Sequence, residues 1–307
     1  MLKPLPSLRQ LRYLVALADH QNFSRAAEAC LATQSTLSAS LMDLENLLGV
    51  TLVERTRRKV LITPMGHDVV DRARAILRQA EDIYDLAQAS KASPLTGPVR
   101  LGIIPTIAPF VLPQALPVVQ ERYPGIQLYL REDLTARLLD RLASGDLDAA
   151  LIALPYPLEG LETLDLLRDG FVCVMTAGHA LAAKTEIAPQ DLAGSDVLML
   201  EEGHCLREHA LAACPLSAAR TNPGLAATSL GTLVQMVRNG LGLTLLPEIA
   251  VASGLLDGTG LVARPLAGPP VTRTLALAWR ASSVRKQAFT LLGETIQSGI
   301  GRARTTG

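Results

Sequence analysis

Residues 67 to 90 contain neither proline nor glycine, and Val70, Ala73, Ile76, Leu77, Ala80, Ile83 and Ala87 recur through them at helical spacing among alternating charges. This pattern predicts one long helix with a single apolar stripe. It divides the chain into a head at 1–66, a linker helix at 67–92 and a body at 97–300, the break lying at Ser93-Pro94-Leu95-Thr96-Gly97-Pro98. An exposed stripe of that length needs a partner helix, which predicts a dimer; packing onto its own domain is the alternative. With 307 residues, each part has enough chain to bury a core.

In the head, Leu8, Leu11, Leu14, Val15 and Ala18 give a first helix one apolar face. Ser24 is placed to cap a second, Arg25 to Leu31, with Ala26, Ala27 and Cys30 inward. A break at Ala32-Thr33 leads to a third, Gln34 to Leu48, buried along Leu37, Leu41, Leu44 and Leu48 and ended by Gly49. Its other face is short and polar: Thr33, Gln34, Ser35, Thr36, Ser38 and Ser40. Lysine and glutamate form helices better on a merely solvated face, whereas small hydroxyl residues permit close approach to a major groove. Two short strands between Val53 and Pro64 then surround a basic tip of Arg55, Arg57, Arg58 and Lys59, a wing suited to phosphates. Alone, that run reads as a solvated turn. Beside a helix-turn-helix it reads as a DNA contact.

The body alternates strand and helix. Val99 to Ile104 and Asp148 to Ala153 are expected strands, with helices Ala108 to Arg122 and Thr135 to Ser144 between them. Phe171 to Thr176, Val197 to Leu200, Leu243 to Leu246 and Thr274 to Trp279 are expected to add strands. The fold class is therefore α/β, with parallel-type sheets in two lobes. Ligands in such folds bind beyond the carboxyl ends of strands, where Thr106 and the Gly203–Cys205 loop fall. The plainer role for Thr106 is to cap the helix after it.

Lysine plus arginine equals aspartate plus glutamate at 29 each, so total charge neither requires nor excludes nucleic acid. Residues 1–66 nevertheless hold eight basic against five acidic side chains. Four cysteines without short metal-type spacing suit a reducing cytosol. The first twenty residues read as a charged amphipathic helix, not a signal peptide, so a cytoplasmic protein is expected rather than a periplasmic transport protein. The most apolar tract, Leu241 to Leu256, is broken by Pro247, Glu248 and Gly254, so no membrane span is expected. Neither cofactor nor metal is implied.

Cys205 and Cys214 lie nine residues apart in a stretch that reads as helix up to Pro215. Nine helical residues rise about 13–14 Å and leave the thiols on opposite faces, whereas a disulfide needs Cα atoms roughly 4.4–6.8 Å apart. Bonding them means rebuilding the segment, so the pair is a candidate switch; a chance pairing is the bland alternative. Cys30 and Cys173 sit on apolar faces and read as buried thiols. A metal site of His204, Cys205, His209 and Cys214 is disfavoured, because a helix spreads these ligands too widely for one tetrahedral ion.

Phe23-Ser24-Arg25-Ala26-Ala27-Glu28, Thr33-Gln34-Ser35-Thr36-Leu37-Ser38, Leu44-Glu45-Asn46-Leu47-Leu48-Gly49 and Thr63-Pro64-Met65-Gly66 resemble the LysR-type transcriptional regulators. The resemblance spans essentially the whole chain. It implies a winged helix-turn-helix, a dimerising linker helix and a two-lobed effector domain like periplasmic binding proteins. It also implies homodimers assembling to homotetramers on promoter DNA, in contact with RNA polymerase.

Within the family, Leu101-Gly102-Ile103-Ile104-Pro105-Thr106, the run from Leu198 to Arg207, Ala227-Thr228-Ser229-Leu230 and Gly242-Leu243-Thr244-Leu245-Leu246-Pro247 are similar to members that sense hydrogen peroxide. That similarity puts the reactive thiol on Cys205, the resolving thiol on Cys214, and the peroxide pocket on Thr106, Thr135, His204, Glu208 and Arg273. Glu208 stands where aspartate is usual, and Ala39, Met42 and Asp43 where basic or amide residues are common.

The chemistry so implied needs a Cys205 thiolate, which a helix N-terminus and Arg273 are expected to favour. Sulfenic acid and then a disulfide follow, with His204 as a proton relay. Two other functions remain open: a regulator sensing a small metabolite in the same cleft, and a thiol peroxidase.

Overall fold

A computed structural model describes residues 4–55, 60–89, 95–213, 225–268, 270 and 272–305. The chain forms two compact units, one built on Met1–Ala92 with Ala143–Asp146 and the other on Ser93–Leu142 with Leu147–Gly307.

The first unit contains α1 (Leu8–His20), α2 (Phe23–Ala29), α3 (Gln34–Leu48), β1 (Val53–Arg55), β2 (Val60–Ile62) and α4 (Pro64–Ala89). Each start has its own oxygen. Ser7 and Gln10 form a capping box on α1, and Thr33 Oγ1 accepts from Thr36 N on α3. α2 is capped by Asn22, whose Oδ1 accepts from Ser24 N and Arg25 N at 2.9 and 3.1 Å. Ser24 was the expected cap, but the helix opens at Phe23 and leaves Ser24 inside its first turn. Leu14, Leu17, Leu37, Leu41 and Leu44 make the core. Glu45 Oε1 takes Leu52 N and Val53 N at 2.7 and 3.0 Å, fixing the first strand to the end of α3.

α4 starts three residues before the expected helix. Thr63 Oγ1 accepts from Gly66 N at 2.9 Å, and a Cβ at Gly66 would stand 2.3 Å from Leu52 O. Only glycine lets this turn lie so close to the backbone. The apolar stripe is divided. Val70 and Ala73 are buried, and α4 packs along α1, while Ile76 and Ile83 are exposed.

The second unit has two five-stranded sheets. One runs in the order β4 (Ile126–Glu132), β3 (Gly97–Ile103), β5 (Ala149–Leu154), β12 (Arg273–Arg280), β6 (Leu161–Asp169). It carries α5 (Ala108–Arg122), α6 (Thr135–Ser144) and α10 (Lys286–Thr305). The other runs β11 (Leu261–Pro265), β7 (Phe171–Thr176), β10 (Leu243–Pro247), β8 (Val197–Leu200), β9 (Ala226–Ala227), with α7 (Cys205–Ala213), α8 (Leu230–Arg238) and α9 (Glu248–Ala252).

The sheets are mixed, not parallel throughout as the alternation suggested. β3, β4 and β5 are joined by helical crossovers and pair in parallel. β12, however, returns from the second lobe, enters from the opposite end and pairs antiparallel with β5 and β6. β10 is likewise parallel to β8 and antiparallel to β7.

Candidate functional site

β8 is buried along its length and delivers the chain to a short turn before α7. Gly203 in that turn has φ +94°, a left-handed conformation that side chains resist, and a Cβ there would meet Leu134 Cδ1 at 3.3 Å. α7 then begins at Cys205, and Arg207 Nη1 donates back to Leu200 O at 3.2 Å. Facing Cys205 are two threonines of the first lobe, Thr106 beyond β3 and Thr135 at the start of α6. Ile104, Pro105, Thr106, Leu134, Thr135, Gly203, His204 and Cys205 enclose a cavity of no more than about 170 Å³. Pockets for metabolite-sized ligands run to roughly 300–1,000 Å³, so this one suits a molecule of very few atoms.

Behind Thr106 lies Arg273, with no exposed surface. Its Nε donates to Asp169 Oδ2 at 2.9 Å, Nη1 to Thr106 Oγ1 at 3.1 Å and Nη2 to Thr106 O at 3.2 Å. Asp169 is equally buried, and its Oδ1 accepts from Ile249 N at 2.9 Å. The threonine therefore does not cap α5, whose N-cap is Ile107 without a side-chain bond. Because Thr106 Oγ1 accepts from the guanidinium, its own proton is available to donate. Thr135 Oγ1 is buried with no hydrogen-bond partner.

Burial is the largest influence on Cys205 and pushes its thiol above the ordinary 9.0. The neighbouring Thr135 hydroxyl and the Arg273 charge favour the thiolate, and Glu208 opposes it. The sequence led to the opposite expectation, a lowered pKa. The helix start and guanidinium do act in that direction, but Cys205 is only 5% exposed and desolvation outweighs them. Glu208 is exposed and does not line the cavity, and Arg273 reaches it only through Thr106. His204 is half-buried, with Nδ1 buried and unpartnered; burial lowers its pKa and Glu201 opposes the shift. Among the described residues, no group of three or more His, Cys, Asp and Glu converges on a metal position.

Asp169 and Tyr156 escaped the sequence reading, and His209 entered it only within a disfavoured metal set. Asp169 holds Arg273, and nothing local marks which carboxylate an arginine 104 residues away will meet. His209 Nε2 lies 3.0 Å from Pro155 O. Tyr156 has its hydroxyl pKa raised, first by burial and then by charge at Cys205, Glu208 and Asp140.

On the first unit, Thr33, Gln34, Ser35 and Thr36 are exposed along the start of α3, with Ser38 half-buried behind them. Thr33 Oγ1 is within 3.0 Å of Ser35 Oγ and 2.7 Å of Thr36 Oγ1, and Ser24 Oγ donates to Gln34 Oε1 at 3.2 Å. The Arg55 side chain, Arg57, Arg58 and Lys59 lie outside the described residues, as does Cys214. Cys173 is buried as expected, whereas Cys30 is only half-buried.

Residues 8–67 match the bacterial regulatory helix-turn-helix protein, lysR family, and residues 92–300 match the LysR substrate binding domain. The HTH-type transcriptional regulator EstR of Acinetobacter baylyi is 44% identical over 291 residues, covering 94% of this chain and 95% of that protein. The DNA-binding transcriptional dual regulator OxyR of Escherichia coli is 38% identical over 292 residues, covering 95% of each. In three dimensions the chain is similar to a cysteine-to-aspartate variant of full-length OxyR from Pseudomonas aeruginosa, with TM-score 0.80 and 38% identity over 96% of this chain and 95% of that one. It is also similar to an H2O2-bound cysteine-to-serine variant of Corynebacterium glutamicum OxyR, with TM-score 0.66 and 34% identity over 98% and 95%.

Proposed function

This chain belongs to the LysR family of bacterial transcriptional regulators, and from that premise we propose that it senses hydrogen peroxide at Cys205 and reports it to promoter DNA. One observation carries the reading: a buried sulfur facing two threonine hydroxyls, one held by a guanidinium, in a cavity too small for a metabolite. The H2O2-bound OxyR relative and the OxyR of Escherichia coli support the same choice of signal.

In this reading peroxide sits between Thr106 and Thr135, which hold its oxygens by hydrogen bonds. Cys205 loses its proton and the thiolate attacks the nearer oxygen. The O–O bond breaks, the distal oxygen leaves as hydroxide, and the proton shed by the thiol completes a water. His204, kept neutral by burial, is the relay for that proton. Sulfur is oxidised by two electrons to the sulfenic acid. The Cys214 thiol then condenses with it, forming the S–S bond and releasing a second water.

That second step carries the signal. α7 is helical from Cys205 through Ala213, a rise of about 12 Å, so the sulfurs meet only if the helix is rebuilt. In a homodimer joined along α4 and assembled to a tetramer, the rebuilt segment resets the spacing of the DNA-binding heads. Each head reads promoter DNA through Thr33, Gln34, Ser35, Thr36 and Ser38, and holds phosphates through Arg55, Arg57, Arg58 and Lys59. RNA polymerase is the further partner, the cytoplasm the setting, and peroxide a signal rather than a turned-over substrate. No described helix is long and apolar enough to cross a membrane.

The competing reading is a family member that senses a metabolite in the same cleft with its cysteines incidental. Cys205→Ser separates the two. Loss of peroxide-dependent change in the footprint on the gene's own upstream DNA, with operator affinity intact, supports the proposal. A surviving peroxide response overturns it. A thiol peroxidase predicts instead sustained peroxide turnover with thioredoxin and no operator binding at physiological salt.

A further inference from the structure

We propose that His209 is a latch that holds α7 against the first lobe, so that its release governs how fast Cys214 reaches an oxidised Cys205. The timing rests on the peroxide reading above; the latch itself rests on geometry.

His209 follows Cys205 by one helical turn and is itself buried. Its Nε2 lies 3.0 Å from Pro155 O, a carbonyl just past the end of β5 in the first lobe. A carbonyl only accepts, so Nε2 carries the proton, and Nδ1 of the neutral ring is a lone pair. That Nδ1 is buried and has no hydrogen-bond partner. The ring is therefore fastened at one nitrogen and is suited to the neutral form alone. A further side-chain tie of this helix, Arg207 to Leu200, stays within the second lobe. The His209 bond spans the two lobes. Pulling α7 away from Pro155 breaks it.

A second proton on Nδ1 would place a cation in a buried position without an acceptor. Burial accordingly holds His209 below its ordinary 6.5, and Arg273 of β12 adds to the effect. Glu208 on the same helix and the Pro155 carbonyl oppose it. Tyr156, next to that carbonyl, is held protonated by burial and then by the charges of Cys205, Glu208 and Asp140 of α6. The docked ring thus has the lower pKa and a released ring in water the ordinary one. The latch is at full strength above pH 6.5 and weakens as pH falls through that value.

The test uses full-length protein with His209→Leu, which removes the donor, and His209→Gln, which keeps an N–H close to Nε2 but does not titrate. Sulfenic acid formation, trapped in a Cys214→Ser background, is expected to stay within about two-fold of the parent in both. Disulfide formation, followed by rapid quench and thiol mapping, is expected to be about five-fold faster in His209→Leu, the factor that one net hydrogen bond is worth. It stays near the parent rate in His209→Gln at pH 7.5. Dividing the parent rate by the His209→Gln rate cancels the ionisation of Cys214, and that ratio is expected to rise from pH 7.5 to 5.5. Hydrogen exchange of α7 amides needs no peroxide and is expected to quicken about five-fold in reduced His209→Leu, with β8 unchanged. A flat ratio, unchanged exchange, or an effect confined to sulfenic acid formation overturns the latch. Should the parent protein form no sulfenic acid, the peroxide reading fails, and exchange still decides the latch.

Discussion

Thr135 presents a buried hydroxyl that has no hydrogen-bond partner of good geometry in the resting site and only the Cys205 thiol beside it, and such an atom lowers the stability of the resting protein. The ionised sulfur of Cys205 is the partner it lacks, since the hydroxyl already favours the thiolate. Thr135→Val keeps the shape and removes the orphan. Thermal unfolding is expected to show stability unchanged or raised by about 1 kcal/mol, while peroxide oxidation of Cys205 slows roughly ten-fold, the worth of one hydrogen bond to a charge. A variant that loses stability and reactivity together would place Thr135 in the scaffold alone. A second expectation concerns pH. With the thiol held above 9.0, its thiolate fraction rises tenfold per unit from pH 6 to 8, and the bimolecular rate with peroxide should climb in parallel without a plateau. Competition kinetics across that range check it, and a plateau would mean that the sulfur ionises more readily than its burial implies. At this scale Cys205 and its threonines were legible through motif resemblance. Asp169 was not, because a buried ion pair is made by topology and leaves no trace in either segment.

At the level of elements, local pattern served the helices of the head well, since each has its own cap, apolar face and stop within about fifteen residues. The sheets were less legible for two physical reasons. The direction of β12 depends on which lobe the chain returns from, and nothing in Thr274 to Trp279 encodes that. β6 hides its alternation: its pairing with β12 slips between Leu275 and Ala276, leaving Leu166 as an extra residue and interrupting the period of two. The division of α4 was also hidden, because the spacing of Val70, Ala73, Ile76 and Ile83 is the same whether the partner is α1 or another molecule. α7 offers the sharpest element-scale prediction. Ala212 is exposed on it, so Ala212→Gly loses no packing and costs the helix about 1 kcal/mol. If the disulfide form has given up the helix, only the dithiol form pays. The Cys205–Cys214 midpoint potential should then move about 20 mV more negative, measurable in glutathione redox buffers. An unmoved potential would show that the oxidised protein keeps its helix and that the rebuilding idea fails.

Over the whole molecule the charges cancel at 29 against 29, yet the head alone holds eight basic against five acidic residues, so any attraction for DNA is local to one end. The α3 face has little to add to that attraction. Its exposed residues Thr33, Gln34, Ser35 and Thr36 are neutral, and Asp43 further along the helix is acidic. In the proposed reading, affinity and specificity are carried by different parts of the head, and salt separates them. Each phosphate neutralised by a basic side chain contributes about 0.9 to the slope of log affinity against log salt concentration. Replacing Arg57 and Arg58 by alanine is expected to reduce the magnitude of that slope by about two for each bound protomer, on operator and random DNA alike. Thr36→Ala should leave the slope where it was and weaken the operator only, narrowing the ratio of specific to non-specific binding. Fluorescence anisotropy titrations from 50 to 200 mM salt on both DNAs distinguish the two effects. A slope untouched by the double substitution would remove Arg57 and Arg58 from the phosphate contacts. The attraction would then have to come from Arg55 and Lys59 of the wing or from Arg9, Arg12 and Arg25, which are exposed on the helices of the head.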